Sequence, residues 1–270
     1  MFFEFFVSKF KLFINNIKVH MLTDPEILRY SRHLLLEDVG ESGQVSLKSA
    51  KVLIVGMGGL GSPAALYLAA AGIGTLVLSD FDHLEVSNLQ RQIAYQSCDI
   101  GAAKVTLMKQ RIEALNPEIR VRSINTQMSE SQLSMELMLA DLVLDCTDNM
   151  ASRQMINSAC VQAKTPLIVG AAIRFEGQLM FFDHSKADSA CYHCLFPNND
   201  EQVLNCSNSG VLGPVVGTIG TLQALEAIKY LLGLPSGIRN KLKIFDGKTL
   251  DWQTFAINKD PKCSVCGQFK

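Results

Sequence analysis

A glycine-rich turn between a short apolar strand and a helix constrains the fold of this chain more than any other feature. The apolar, β-branched run 51–55 predicts a buried parallel strand. It enters the turn Gly56-x-Gly58-x-x-Gly61, and a second strand after the helix ends at Asp80, about 20 residues beyond the last glycine. The glycines let backbone N–H groups approach a phosphate at the helix N-terminus, and a carboxylate at the second strand's end accepts hydrogen bonds from ribose. This unit predicts a nucleotide site.

Charged side chains further along the chain indicate which nucleotide chemistry to expect. The turn alone favours NAD or FAD, but hydride transfer needs few charges near the substrate, whereas attack on a nucleoside triphosphate needs many. Arg91 and Lys104 supply cations, and Asp148 supplies a carboxylate suited to a metal ion. Each has a plainer role as a surface charge, and Asp148 with Asn149 also suits a helix cap. As a set beside the glycine turn, they favour a triphosphate.

The alternation of predicted strands and helices indicates a Rossmann-like α/β fold. Strands are predicted near 51–55, 75–80, 119–124, 141–145 and 166–169, and helices near 24–37, 63–72, 101–115, 131–140 and 149–163. After about residue 175 the pattern changes to strands near 178–182, 243–246 and 252–257, with one long helix near 217–232. We expect a mostly parallel sheet with helices on both faces and an antiparallel C-terminal extension.

Length and composition exclude several classes of protein. A chain of 270 residues with 48% hydrophobic and 19% charged residues is globular, and its net charge of -1 provides no basic field for nucleic acid. No stretch approaches the ~18–20 apolar residues of a membrane span. Residues 1–20 are expected to be an extension outside the fold, with a membrane-surface amphipathic segment as the alternative. We expect residues 21–270 to form a single domain.

Two pairs of cysteines have the spacing of metal ligands. Cys191 and Cys194 form one C-x-x-C pair, and Cys263 and Cys266 form another. Two such pairs can build a tetrahedral zinc site that is structural, because protein ligands fill all positions. Zinc at this site would pin the C-terminal tail to the polar loop near 185–213. The sequence shows no secretory signal, so the expected compartment is the reducing cytoplasm.

Several motifs in combination resemble the ThiF/MoeB/HesA family, bacterial relatives of the ubiquitin-activating enzymes. They are RYSRHLLL, the glycine turn with its following strand, SNLQRQ, LDCTDN, the GPVVGTIG helix and the two cysteine pairs, and they extend over about 22–267. The resemblance implies ATP-dependent adenylation of the C-terminal Gly-Gly carboxylate of a ubiquitin-like sulfur carrier protein, with magnesium and release of pyrophosphate. It also implies a homodimer and a separate sulfur donor such as a cysteine desulfurase. It divides the domain into a nucleotide-binding half, about 21–170, and a carrier-binding and zinc-bearing half, about 171–270.

Matching motif positions carry the roles of the family over to single residues. Gly59 and Asp80 would hold the phosphates and ribose, and Lys104 would stabilise the charge that develops on phosphate. Asp148 would bind the magnesium ion, and Arg32 would reach across the homodimer interface into the neighbouring site. The residues implied to hold the nucleotide are Gly56, Gly58, Gly59, Gly61, Asp80, Ser87, Asn88, Gln90, Arg91, Lys104, Asp148 and Asn149.

The identity of the sulfur carrier depends on the branch of the family. The stretch 191–206 and the helix region 213–233 resemble the ThiF branch, which serves the carrier of thiamine thiazole synthesis, and we favour that branch. The stretch 170–177 resembles instead the MoeB branch, which serves molybdopterin synthase. In the ThiF branch the cysteine that matches Cys206 can link covalently to the carrier through an acyl disulfide, and in the MoeB branch it is dispensable. Cys206 therefore joins Arg32, Arg91, Lys104 and Asp148 as a candidate catalytic residue.

Two alternatives come from other functional classes. An NAD-binding oxidoreductase shares the glycine turn and Asp80 but gives no role to Arg91, Lys104, Asp148 or the cysteine pairs. A non-catalytic scaffold that binds a carrier without activating it has no need of these charged residues together.

Overall fold

The computed structural model of the chain describes residues 21–197 and 210–267. The predicted extension 1–20 and the candidate Cys206 lie outside the described residues. The strands are β1 Lys51–Val55, β2 Thr75–Ser79, β3 Arg120–Ile124, β4 Leu142–Asp145, β5 Leu167–Ile173, β6 Glu176–Phe182, β7 Lys241–Asp246 and β8 Trp252–Ala256. The helices are α1 Asp24–Arg29, α2 Ser31–Leu34, α3 Gly40–Ser49, α4 Gly61–Ala70, α5 Lys104–Leu115, α6 Glu130–Leu137, α7 Met150–Ala163, α8 Tyr192–Leu195 and α9 Gly213–Leu231.

The strands form one eight-stranded sheet in the order β3-β2-β1-β4-β5-β6-β7-β8. The first five in that order pair in parallel, and β5 to β8 pair antiparallel. This confirms the predicted mixed sheet with an antiparallel C-terminal extension. The order of the parallel strands reverses between β1 and β4, because β2 and β3 lie on one side of β1 and β4 and β5 lie on the other. The crevice at such a switch point is where open α/β sheets bind their ligands.

Both faces of the central parallel strands β1, β2 and β4 are buried, which explains why those strands are continuous apolar runs, whereas the edge strand β3 is partly exposed. In β1 the side chains of Val52 and Ile54 join a core cluster with α4, α5 and α9, while Leu53 joins the cluster formed with α6 and α7. Successive side chains of a strand point to opposite faces, so helices must cover both. Among the described residues, no helix combines the length and apolar character needed to cross a membrane.

The N-terminal helices differ from the prediction. The expected helix over 24–37 is interrupted at Tyr30, which is 3% exposed and whose hydroxyl accepts a 2.9 Å hydrogen bond from Asn116 Nδ2. The tyrosine ring packs over Gly72, where a Cβ would lie 2.5 Å from Tyr30 Cζ. Helix α3 is not predicted from the sequence, because its two glycines have low helix propensity. Tertiary contacts stabilise it: Gln44 is fully buried and donates a 2.8 Å hydrogen bond to the Ala71 carbonyl.

Candidate functional site

The predicted nucleotide residues gather at one edge of the sheet. In the register of the parallel strands, Val55 lies beside Ser79 on one side and beside Asp145 on the other. The loops that follow β1, β2 and β4 therefore leave the sheet side by side. Helices α4 and α7 begin at the same edge, so their N-termini, with positive ends of their dipoles, face the crevice between the loops.

The glycine turn is packed too tightly for side chains at two of its positions. Gly56 has φ 94°, and a Cβ there would lie 2.6 Å from the Cys146 carbonyl oxygen. A Cβ on Gly61 would lie 1.8 Å from the carbonyl oxygen of Gly56. At Gly58 the nearest neighbour of such a Cβ is the Gln92 amide at 3.6 Å, an ordinary contact. The outer glycines thus shape the turn, and the inner part presents backbone where a phosphate would approach.

Asp80 is fixed beside this turn by two backbone hydrogen bonds. Its Oδ2 accepts from the Met57 N–H at 2.6 Å, and its Oδ1 accepts from the Asp82 N–H at 2.8 Å. Burial raises the pKa of the Asp80 carboxyl, while hydrogen bonding and the charge of Lys104 oppose that shift. Each carboxylate oxygen retains a further lone pair, so Asp80 can still accept from ribose hydroxyls.

Lys104 brings a buried cation to the same edge. It is 5% exposed at the start of α5, and its Nζ lies 2.9 Å from Asp82 Oδ2, whose side chain is half-exposed. An almost fully buried lysine needs a compensating anion. The exposed carboxylate of Asp82 supplies one here, and a phosphate at the crevice would supply another.

The segment 85–92 forms one wall of the crevice. A single 3-10 turn at Val86–Asn88 orders it, and Arg91 Nη1 donates to the Ser87 carbonyl at 3.0 Å. The start of α9 packs directly on this segment, because a Cβ on Gly213 would lie 2.6 Å from the Gln90 carbonyl oxygen. The turn therefore places Ser87, Asn88, Gln90 and Arg91 next to one another, as the sequence motif predicts.

Gln92 also faces the glycine turn, although it is not among the residues predicted to hold the nucleotide. It is 3% exposed, its amide nitrogen faces Gly58, and its Oε1 has no hydrogen-bond partner among the described residues. A buried, unsatisfied amide oxygen calls for a ligand or water. Its position at the end of SNLQRQ was the available signal.

The loop after β4 carries Asp148 and Asn149. Asn149 is the N-cap of α7, and its Oδ1 accepts from the Ser152 N–H at 2.9 Å, so the predicted capping role is confirmed. Asp148 is exposed and offers carboxylate oxygens, the ligands that Mg²⁺ prefers, so its chemistry fits that ion. Asp145, which is not among the predicted site residues, is 1% exposed and accepts hydrogen bonds from the N–H and hydroxyl of Thr147 at 2.9 and 2.7 Å.

Arg32 stands apart from these contacts. It is exposed on α2, and within the described parts of the chain no hydrogen bond or ion pair ties it to the glycine turn. Its predicted role belongs to a second subunit and stays a prediction.

The four predicted cysteines form one cluster. Their sulfur atoms all lie within 4.8 Å of one another, with 3.8 Å between Cys191 and Cys194, 3.7 Å between Cys191 and Cys263, and 3.4 Å between Cys194 and Cys266. A tetrahedral zinc ion with bonds of about 2.3 Å to sulfur has sulfurs about 3.8 Å apart, so the donor set fits zinc. A hydrogen bond from Cys191 lowers the pKa of the Cys194 thiol, which favours the thiolate that binds metal. The four cysteines would fill all four coordination positions of a tetrahedral zinc ion, which is typical of a structural site.

The chain matches the model of the ThiF family over residues 30–265. It is 49% identical over 248 residues to the sulfur carrier protein ThiS adenylyltransferase of Escherichia coli (strain K12), covering 91% of this chain and 97% of that protein. It is 42% identical over 247 residues to the molybdopterin-synthase adenylyltransferase of the same strain, covering 92% and 99%. Among solved structures, E. coli MccB with ATP has a TM-score of 0.77 at 25% identity, covering 88% of this chain and 73% of that one.

Proposed function

Because the chain belongs to the ThiF family, we propose that it is an enzyme that adenylates the C-terminal carboxylate of a small ubiquitin-like sulfur carrier protein, using ATP and releasing pyrophosphate. One observation carries the proposal. The glycine turn, Asp80, Lys104 and the Asp148 loop meet at one sheet edge, in a chain similar to proteins named adenylyltransferases.

The chemistry follows from the charges at this edge. A carboxylate is a weak nucleophile, and transfer of AMP to it creates a mixed anhydride with a good leaving group. The attacking carboxylate has a pKa of about 3.5 and is already ionised at pH 7, so no side-chain base is needed. The protein has to align the carboxylate with the α-phosphate and neutralise the charge that develops.

Each residue of the edge then has a task. The glycine turn receives the phosphates, and Asp80 holds the ribose. Arg91 and Lys104 neutralise charge on the phosphate oxygens, and Gln92 supplies a neutral hydrogen-bonding group beside them. Asp148 would hold the magnesium ion, which would neutralise negative charge on the phosphate oxygens. In a homodimer, Arg32 enters the site of the partner subunit.

We further propose that the carrier is of the ThiS type. Support comes from the higher identity, 49%, to the ThiS adenylyltransferase, against 42% to the molybdopterin-synthase adenylyltransferase. The second candidate is the molybdopterin-type carrier, favoured by the stretch 170–177, which forms the hairpin between β5 and β6. With either carrier, the sulfur comes from a separate donor protein. The oxidoreductase alternative has no support from relatives that are named adenylyltransferases.

Carrier-dependent exchange of labelled pyrophosphate into ATP tests the proposal. We expect exchange with a ThiS-type carrier and weaker or no exchange with a molybdopterin-type carrier. The opposite preference would assign the second candidate, and no exchange with either carrier would contradict adenylation.

Replacing Asp148 with alanine should abolish exchange, because the magnesium ion loses its protein ligand. The fold should stay intact, because Asp148 is exposed. Glu113→Ala is the matched control, since this exposed carboxylate lies on α5 about 13 Å along the helix from Lys104. Normal exchange in Asp148→Ala, with an unchanged circular dichroism spectrum, would remove this residue from its role.

A further inference from the structure

Helix α7 connects the nucleotide edge to the cysteine cluster. Its N-cap, Asn149, directly follows Asp148. At its other end, Val161 packs in one apolar cluster with Cys191, Cys263 and Cys266. A change in the position of this helix would therefore displace residues at both the nucleotide edge and the cysteine cluster.

Two polar side chains of α7 hold the first cysteine knuckle, the segment 191–196. Gln154 Nε2 donates to the Phe196 carbonyl at 2.6 Å, and its Oε1 lies 3.2 Å from His193 Nδ1. One turn along, Asn157 Oδ1 accepts from the Tyr192 N–H at 2.8 Å. Side chains three residues apart lie on the same helix face, so the knuckle fixes the rotation of α7 about its axis.

In this orientation of α7, the Arg153 side chain reaches the loop after β4. Its Nη2 donates to the Thr147 carbonyl at 2.8 Å. The N–H and hydroxyl of Thr147 in turn donate to the buried carboxylate of Asp145. Thr147 is therefore held through both its donors and its acceptor, and the next residue in the chain is Asp148.

Charge complementarity supports the same arrangement. Asp145 is 1% exposed, and its Oδ2 accepts no hydrogen bond from the described residues. Burial raises the pKa of the Asp145 carboxyl, and the charge of Arg153 is the largest effect that opposes this shift. Arg153 also forms a side-chain hydrogen bond with Tyr192 of the knuckle. The guanidinium thus lies between the β4 loop and the knuckle.

We propose that Arg153 is a positioning residue that orients Asp148 toward the metal ion of the bound nucleotide, with α7 held in place by the cysteine knuckle. This inference rests on the proposed function of the nucleotide edge. A planar guanidinium can serve the Thr147 carbonyl and neighbouring groups together, which a lysine ammonium does less well. Arg153 touches neither nucleotide nor carrier in this role, and it acts through the backbone of Thr147.

Binding of a fluorescent ATP analogue to the zinc-loaded full chain, titrated with Mg²⁺, tests the role. In Arg153→Gln we expect half-maximal binding at about 10- to 100-fold higher Mg²⁺, the usual effect of removing a group that orients a metal ligand. In pyrophosphate exchange, kcat should be largely restored at saturating Mg²⁺. Arg153→Lys keeps the charge beside Asp145 and should show a smaller shift. Gln162→Ala, an exposed change on the same helix, should match the wild type.

An unchanged Mg²⁺ midpoint in a folded, zinc-loaded Arg153→Gln variant would overturn the proposal. So would a loss of binding that no concentration of Mg²⁺ relieves, because that result describes a purely structural residue. If the glutamine variant does not fold, the midpoint of Arg153→Lys decides in the same way. Binding of the analogue needs no carrier, so the two proposals can fail separately. If the wild type binds the analogue but shows no exchange with either carrier, the proposed function is contradicted. The role of Arg153 is then still decided by its Mg²⁺ midpoint.

Discussion

Alanine in place of Gly56 should destabilise the protein more than the same change at Gly101, although both glycines have left-handed backbones. Their φ angles are 94° and 88°. A Cβ at Gly56 would lie 2.6 Å from the Cys146 carbonyl oxygen and 2.9 Å from its carbon, whereas a Cβ at Gly101 meets nothing within 4 Å. The comparison therefore separates the steric clash from the backbone strain.

The magnitudes follow from these two effects. A non-glycine residue in a strained backbone region costs about 1–3 kcal/mol, so Gly101→Ala should lose about that much free energy of unfolding. Forced overpacking against backbone costs about 1–3 kcal/mol more, which brings Gly56→Ala to about 2–6 kcal/mol. For a domain of this size, 1 kcal/mol shifts Tm by about 2–4 °C, so the two variants should differ by about 2–12 °C.

Urea denaturation followed by circular dichroism measures the difference, and binding of an ATP analogue measures its effect on the site. The clash at Gly56 pushes the turn away from the β4 loop, so Gly56→Ala should bind the analogue more weakly. Gly101→Ala should bind it as the wild type does. Equal losses of stability in the two variants, or undisturbed nucleotide binding in Gly56→Ala, would refute the packing that we infer for the turn.

The remaining predictions concern the metal and pH. Chelation of zinc should lower Tm by about 8–16 °C, because a ligand present at 1,000 times its Kd contributes about 4 kcal/mol. A metal-sensitive dye should detect the released zinc ion. The variant Cys263→Ser should not bind zinc. Absence of zinc from the purified protein would contradict the prediction that the four cysteines bind it. Burial lowers the pKa of His184 from 6.5 to about 4, so the unfolded chain binds more protons between these values and stability falls as the pH drops through that window. From pH 7 to pH 5 the wild type should lose about 2 kcal/mol more than His184→Gln in urea denaturation; parallel pH profiles would show that His184 is not buried as a neutral ring.

The parts of the fold that the sequence predicts are those governed by local pattern. The central parallel strands β1, β2 and β4 are short apolar runs, because both of their faces are buried, and their positions differ from the prediction by few residues. The break at Tyr30 and the helix α3 depend on contacts that are distant in the chain. Tyr30 bonds to Asn116, and Gln44 bonds to Ala71, so the pattern of residues around each carries no sign of them.

The same distinction applies to the site. Gly56, Asp80 and Asp148 follow strands, and topology brings the ends of parallel strands together, so their meeting is predictable. The proposed role of Gln92 depends on its burial beside Gly58, and that of Arg153 on its bond to Thr147 outside its own helix, neither of which the sequence alone displays. Arg153 in particular lies within a helix whose orientation depends on a cysteine knuckle some 40 residues later.

The choice of carrier is separate from the chemistry at the sheet edge. Adenylation acts on a terminal carboxylate, and proteins named for two different carriers are 49% and 42% identical to this chain over nearly its whole length. In the proposed function, this edge contacts ATP and the terminal carboxylate, which the two carriers share, so its residues do not distinguish one carrier from the other. Discrimination must then come from surfaces that meet the carrier away from this edge. It follows that Asp148→Ala should lose exchange with every carrier that the wild type adenylates, because its defect lies in the step that these carriers share. A variant that lost exchange with one carrier alone would place Asp148 in recognition of the carrier, and the assignment of the edge to the nucleotide would fail.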